Sequence, residues 1–174
     1  MNSKTILSNV LRFALLLLIQ VFILKRIYFT LDGRPSFQVL LYPLFLFILP
    51  FKTPRVALML LGFTMGLLID FFYTPLGLHA GALVFTAYAR HWILAFWAPR
   101  DGYNMNHSPT VKRMGRAWFL RYASVLLFLH TFVYFSLEAF TFVYIVDILW
   151  QSLTSFAISM VFIIIFMLIF NPED

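Results

Sequence analysis

The chain has 174 residues, 62% of them apolar and only 11% charged, with a mean hydropathy of +0.89. Soluble domains average about 45–50% apolar and about 25% charged, and a soluble globule of this size needs more polar cover than this chain can supply. Soluble enzymes and disordered tails are therefore excluded. The absence of Cys excludes a disulfide-stapled module and thiolate chemistry. The net charge of +6 sits on Lys and Arg placed mostly between apolar runs, a membrane-topology pattern rather than a nucleic-acid footprint.

A membrane-crossing helix needs about 20 apolar residues, and six stretches qualify as candidates. The first is Ile6–Phe29, with its apolar centre at Phe13–Leu24. Lys25 and Arg26 follow that centre without a small-residue cleavage site, so a retained anchor is expected rather than a signal peptide. The second, Phe37–Phe51, is the weakest: it is short, and Pro43 interrupts it. The third is Pro54–Phe72, with Pro54 well placed at a helix start. Leu76–Trp97, Ala117–Phe140 and Ile145–Phe170 complete the set. Between the fourth and fifth lies the basic loop Ala98–Arg116. The expected architecture is thus a single all-α domain, a six-transmembrane-helix bundle.

Six crossings put both termini on one side. With the N-terminus inside, the inner segments carry Lys4, Lys52, Arg55, Arg100, Lys112, Arg113 and Arg116, against Lys25, Arg26 and Arg34 outside. This bias predicts that both termini face the cytoplasm. Arg12, Arg90 and Arg121 lie near inner ends and are expected to snorkel.

Ionisable groups inside a crossing are candidate functional residues. They are Asp70, His79, His130 and Glu138. Asp70 falls about 22 Å along its helix from Arg55, toward the outer interface, where it is expected to accept hydrogen bonds from the start of the next helix. Gly62, Gly66 and Asp70 share one helix face, and Gly77 and Gly81 repeat the small-xxx-small spacing just beyond the turn. The two glycine pairs predict a close helical hairpin, and these residues, with His79, are the candidate packing or partner contacts. His130 is expected to be a neutral, hydrogen-bonded core histidine. No second His or carboxylate stands one turn away to complete a metal site. Serine-hydrolase elbows, zinc-protease motifs and phosphate-binding loops are absent. Asp70 and Asp147 offer a paired-acid peptidase reading, but the Asn and Arg that accompany such an acid in lipoprotein signal peptidase are missing around Asp70. No catalytic set, cofactor or metal is expected.

The run Gly62-Phe63-Thr64-Met65-Gly66-Leu67-Leu68-Ile69-Asp70, then Pro75-Leu76-Gly77-Leu78-His79-Ala80 and Ala87-Tyr88, resembles the MreD family of bacterial rod-shape-determining membrane proteins. The likeness covers about Leu49–Tyr88; elsewhere it rests on length and number of crossings. It implies a fold similar to the substrate-binding subunits of energy-coupling-factor transporters. It also implies a non-enzymatic scaffold of the cell-wall elongation complex in the cytoplasmic (inner) membrane. The implied partners are an MreC-like single-span protein, RodA, a class B penicillin-binding protein and MreB, within the lipid bilayer and without nucleic acid. The fold kinship supplies the alternative, a vitamin carrier subunit; the short outer loops, with few polar groups, favour the scaffold.

Overall fold

A computed structural model describes residues 3–31, 34–73, 76–100 and 102–170. Helix α1, Ser3–Leu18, runs on through a π turn at Ile19–Ile23 and a 3-10 turn at Leu24–Arg26. Strands β1, Tyr28–Leu31, and β2, Arg34–Gln38, form an antiparallel hairpin. Then come α2, Leu44–Phe47; α3, Arg55–Asp70; α4, Leu78–Phe96; α5, Val111–Met114; α6, Arg116–Ala139; and α7, Ile145–Phe170.

The body is all-α, and the exception is the hairpin at one end. Its bases are β-prone residues around Tyr28-Phe29-Thr30; the Asp32-Gly33 dipeptide, a common two-residue hairpin signal, lies outside the described residues. Among the described residues, three helical stretches are long and apolar enough to cross a membrane: Ile6–Arg26, Arg116–Ala139 and Phe142–Phe170. Their outward faces are apolar, with Leu7, Leu11, Phe22, Leu153, Leu168 and Ile169 more than half exposed. So broad an apolar exterior is foreign to a water-facing monomer and matches a lipid-facing one. The chain has the character of a membrane protein.

The expected second helix, Phe37–Phe51, does not form. Only the single turn α2 is helical, and residues 39–41 run extended through the middle of the bundle. Pro43 opens α2 and Pro50 closes the stretch, and Pro at both ends leaves room for little more than one turn. Every residue from Val39 to Leu49 other than Pro43 is at most 3% exposed. The stretch is therefore the core of the bundle rather than a lipid-facing wall. Non-helical backbone at membrane depth is tolerated only where protein covers it and satisfies its polar groups.

Two ends can be distinguished. At one, Lys25 Nζ donates to Phe72 O and sits over the Tyr73 ring, joining the hairpin side of α1 to the end of α3. At the other, Phe51 N donates to His107 O (3.0 Å) and Lys52 N to Met105 O (3.2 Å), tying the loop after α4 beneath α2. Tyr103 stacks on Phe51 at 4.4 Å, and its hydroxyl caps α4 by donating to Leu94 O and Trp97 O. The basic loop is thus fastened to the bundle.

Candidate functional site

Four clusters of buried polar groups join separate elements among the described residues, three of them arranged around the broken segment. The first holds its extended part. Gln20, turned inward by the π turn of α1, donates Nε2–H to Val39 O (2.9 Å) and accepts Leu41 N–H on Oε1 (2.9 Å). One side-chain amide thereby imitates a neighbouring strand. From the opposite side, Ser155 Oγ accepts Gln38 N–H (2.9 Å) and Ser159 Oγ accepts Leu40 N–H (2.8 Å). The spacing is matched: two extended residues advance about 6.6 Å and four helical residues about 6 Å. A Ser-x-x-x-Ser row on α7 therefore meets alternate strand donors.

His130, fully buried at the middle of α6, joins three elements. Thr86 Oγ1 already donates to Ala82 O (2.7 Å), so it accepts from His130 Nδ1–H (2.8 Å). Nε2 is then the acceptor for the Tyr42 hydroxyl (2.8 Å). The resulting one-directional chain requires a neutral imidazole, the core histidine the sequence suggests.

Arg90 corrects the sequence reading. It does not snorkel: it is 2% exposed, enclosed between α4, α6 and α2. Its Nε donates to Tyr122 OH (3.0 Å) and its Nη2 to Leu49 O, while Tyr122 OH donates to Phe47 O (3.1 Å). Phe47 and Leu49 carry free carbonyls at the end of α2, so a buried cation caps the negative end of a one-turn helix. Arg12, by contrast, is half-buried and Arg121 exposed.

The last cluster is the α3–α4 turn. Helix α4 begins at Gly77, which has φ +96° and no side chain to cap the helix. Asp70, at the end of α3, supplies the missing acceptor. Its Oδ1 accepts His79 N–H (3.0 Å) and His79 Nδ1–H (2.9 Å), and its Oδ2 accepts Ala80 N–H (3.1 Å). A carboxylate at a helix N-terminus also meets the positive end of the dipole. The His79 ring lies 4.6 to 5.4 Å from the Tyr73, Tyr134 and Tyr42 rings, and its Nε2 is buried without a hydrogen-bond partner. Thr74 and Pro75 lie outside the described residues.

The glycines play unequal parts. A Cβ on Gly66 would stand 2.4 Å from Ala80 Cα and 2.5 Å from Ala80 N, and one on Gly62 would stand 3.2 Å from Leu83 O. These two let α3 lie directly on the α4 backbone. Gly77 and Gly81 do not repeat the device toward α3, contrary to the sequence expectation. Gly77 has open space where a Cβ would go, and its role is its left-handed φ; Gly81 faces Leu137 of α6. The α3 glycines meet Ala80 and Leu83, so the seam pairs glycine with the backbone of an alanine-rich helix start. Asp147, the other half of the paired-acid reading, stands on the exposed first turn of α7, beside Glu138 on a cavity of about 370 Å³. It takes no part in the Asp70 cluster, whose carboxylate oxygens accept from His79 and Ala80.

Gln20, Ser155, Ser159 and Tyr122 carry no motif, and the sequence reading passed over them. The only available signal was polar residues at one-turn spacing within otherwise apolar runs. Removing the Arg90 cap tests its role. Arg90→Met keeps bulk but leaves Leu49 O without a donor, an expected loss of about 1–3 kcal/mol. Tyr122→Phe should cost less. Because both act on one network, the double variant should lose measurably less than the sum of the two, by about 0.5 kcal/mol or more, in detergent unfolding curves. Strict additivity would mean that the two side chains act separately.

No family model, no curated protein and no solved structure matches the chain.

Proposed function

We propose that this chain is a non-enzymatic scaffold of the bacterial cell-wall elongation machinery, residing in the cytoplasmic membrane and acting through contacts with an MreC-like single-span protein. RodA, a class B penicillin-binding protein and MreB belong to the same proposed assembly. One observation carries the reading: the buried polar side chains of the interior are committed chiefly to holding helices together. Gln20, His130, Arg90 and Asp70 each bridge separate elements by hydrogen bonds. A bundle so constructed presents a fixed exterior, and a fixed exterior is what positioning a partner requires. The motif residues Gly62, Gly66 and Asp70, on which the family resemblance rests, lie in the most intimate helix pair of the fold.

The proposal includes six crossings with both termini cytoplasmic. Helix α3 rises about 24 Å and α4 about 28 Å, and the broken segment makes the remaining passage inside the protein. Reporter fusions placed after Asp174 and within Ala98–Arg116 should both report cytoplasm. An external signal from the C-terminal fusion would remove one crossing.

The cellular test is depletion. A rod-shaped host should become round or swollen and stop inserting wall along its sides. Unchanged width and unchanged wall labelling after full depletion would refute the scaffold. One observation favours a second reading, a small-molecule carrier subunit: the unpartnered His79 Nε2 inside its ring of tyrosines is an open polar contact in the interior. A selective defect in the uptake of one vitamin, with normal wall growth, would support the carrier instead.

A further inference from the structure

A lateral groove of about 650 Å³ opens between the first turns of α1 and the first half of α3, with the buried α2 segment as its floor. We propose that it holds one chain of an acidic phospholipid from the leaflet at the Lys52 end, as a resident lipid. The volume lies within the roughly 300–1,000 Å³ typical of small-molecule sites. Three observations select this occupant.

The first is an unmet donor. Asn9 lines the groove and is 8% exposed. Its Oδ1 accepts from Arg12 Nη1 (3.3 Å), which leaves its Nδ2 as a buried donor without a partner. An orphaned buried amide costs about 1–3 kcal/mol. An ester carbonyl or phosphodiester oxygen would satisfy it.

The second is charge. Lys52 stands at the mouth, its Nζ donating to Asn106 Oδ1 (3.3 Å), and an ammonium has further N–H groups to offer. Lys52 is the one charged residue among those that line the groove. A negative headgroup fits that rim, and apolar Phe13, Ala57 and Leu61 fit its acyl chain.

The third is depth. Along α3 the groove runs from Pro54 to Thr64, about 15 Å, which is half of the roughly 30 Å hydrocarbon core. A partner helix crossing the whole bilayer would need a seam of twice that length, and its backbone groups, already paired internally, would offer nothing to Asn9. A lipid occupies one leaflet and carries its acceptors near the headgroup.

The test uses the full chain in mild detergent, incubated with equal parts of phosphatidylglycerol and phosphatidylcholine and analysed by native mass spectrometry. One phosphatidylglycerol should stay bound. Ala57→Phe, which fills the groove, and Asn9→Leu, which removes the donor, should each abolish retention. Lys52→Ala, which removes the cation at the mouth together with its exposed bond to Asn106, should lower the preference for phosphatidylglycerol about fivefold, the factor corresponding to about 1 kcal/mol per basic side chain at an anionic surface. A benzoylphenylalanine at Leu61, irradiated in native membranes, should gain the mass of one lipid. Equal retention of both lipids by the unaltered chain, undiminished retention in Ala57→Phe, or a cross-link to a polypeptide at Leu61 would each overturn the proposal.

Discussion

Gly66→Ala is expected to prevent accumulation of the folded protein. The added methyl carbon would lie 2.4 Å from Ala80 Cα and 2.7 Å from His79 C, and these are backbone atoms that no side-chain rotation can move. Overpacking a core costs about 1–3 kcal/mol when side chains can shift; here two helices must separate, so the cost falls at or above the top of that range. Separation would also pull Asp70 from the α4 N-terminus, because the same two turns carry both contacts. Gly81→Ala provides the control. Its methyl meets only Leu137 Cδ1, at 3.2 Å, the end of a flexible side chain, and should be tolerated. The measurement is the monodisperse yield of each variant after extraction. Equal yields for Gly66→Ala and the unaltered chain would show that α3 and α4 do not pack as described.

Asp70→Leu should be nearly as damaging. It would strip acceptors from His79 N, Ala80 N and His79 Nδ1 together, all at a fully buried position. Each orphaned buried donor costs about 1–3 kcal/mol, and water is too remote to replace the carboxylate. Asp70→Asn keeps one carbonyl oxygen but turns an amide donor toward one of the backbone donors. It should therefore fall between Leu and the unaltered chain in thermal stability. A carboxylate used for proton transfer would behave differently: Asn and Leu would both abolish function at normal protein levels, and Asp147→Asn would do the same. That pattern would point to the paired-acid peptidase.

The helices were largely legible because their signals are local. Apolar runs of sufficient length bounded by Pro54, Gly77 and the basic clusters mark α3, α4, α6 and α7 within a few residues of their observed ends, whereas the first run, expected as helix to Phe29, leaves the α-helix at Leu18 and ends in a strand that includes Phe29. Asp70 was legible as an acceptor for the next helix because an acid at one helix end, followed by a glycine start, leaves few other uses for the carboxylate. The segment Val39–Leu49 was not. Its composition suits a lipid-facing helix, and what holds residues 39–41 out of a helix lies far away in sequence, in Gln20, Ser155 and Ser159. Arg90 was misread for the same reason. Position alone suggests snorkelling, and only the carbonyls of Phe47 and Leu49, freed by the break at Pro50, create a buried place for a cation. The Gly77–Gly81 pair misled in the other direction: spacing identifies a shared face but not what that face meets, and here Gly81 meets Leu137 of α6 while Gly77 faces open space.

The most direct test of the scaffold is the company the protein keeps in its own membrane. The full chain should be tagged, extracted in a mild detergent and purified under conditions that preserve membrane complexes, and its partners identified by mass spectrometry. An MreC-like single-span protein should co-purify in near-stoichiometric amount, together with wall-synthesis enzymes. A reproducible complex with an ATPase module and a transmembrane coupling subunit, with wall-synthesis proteins absent, would contradict the scaffold.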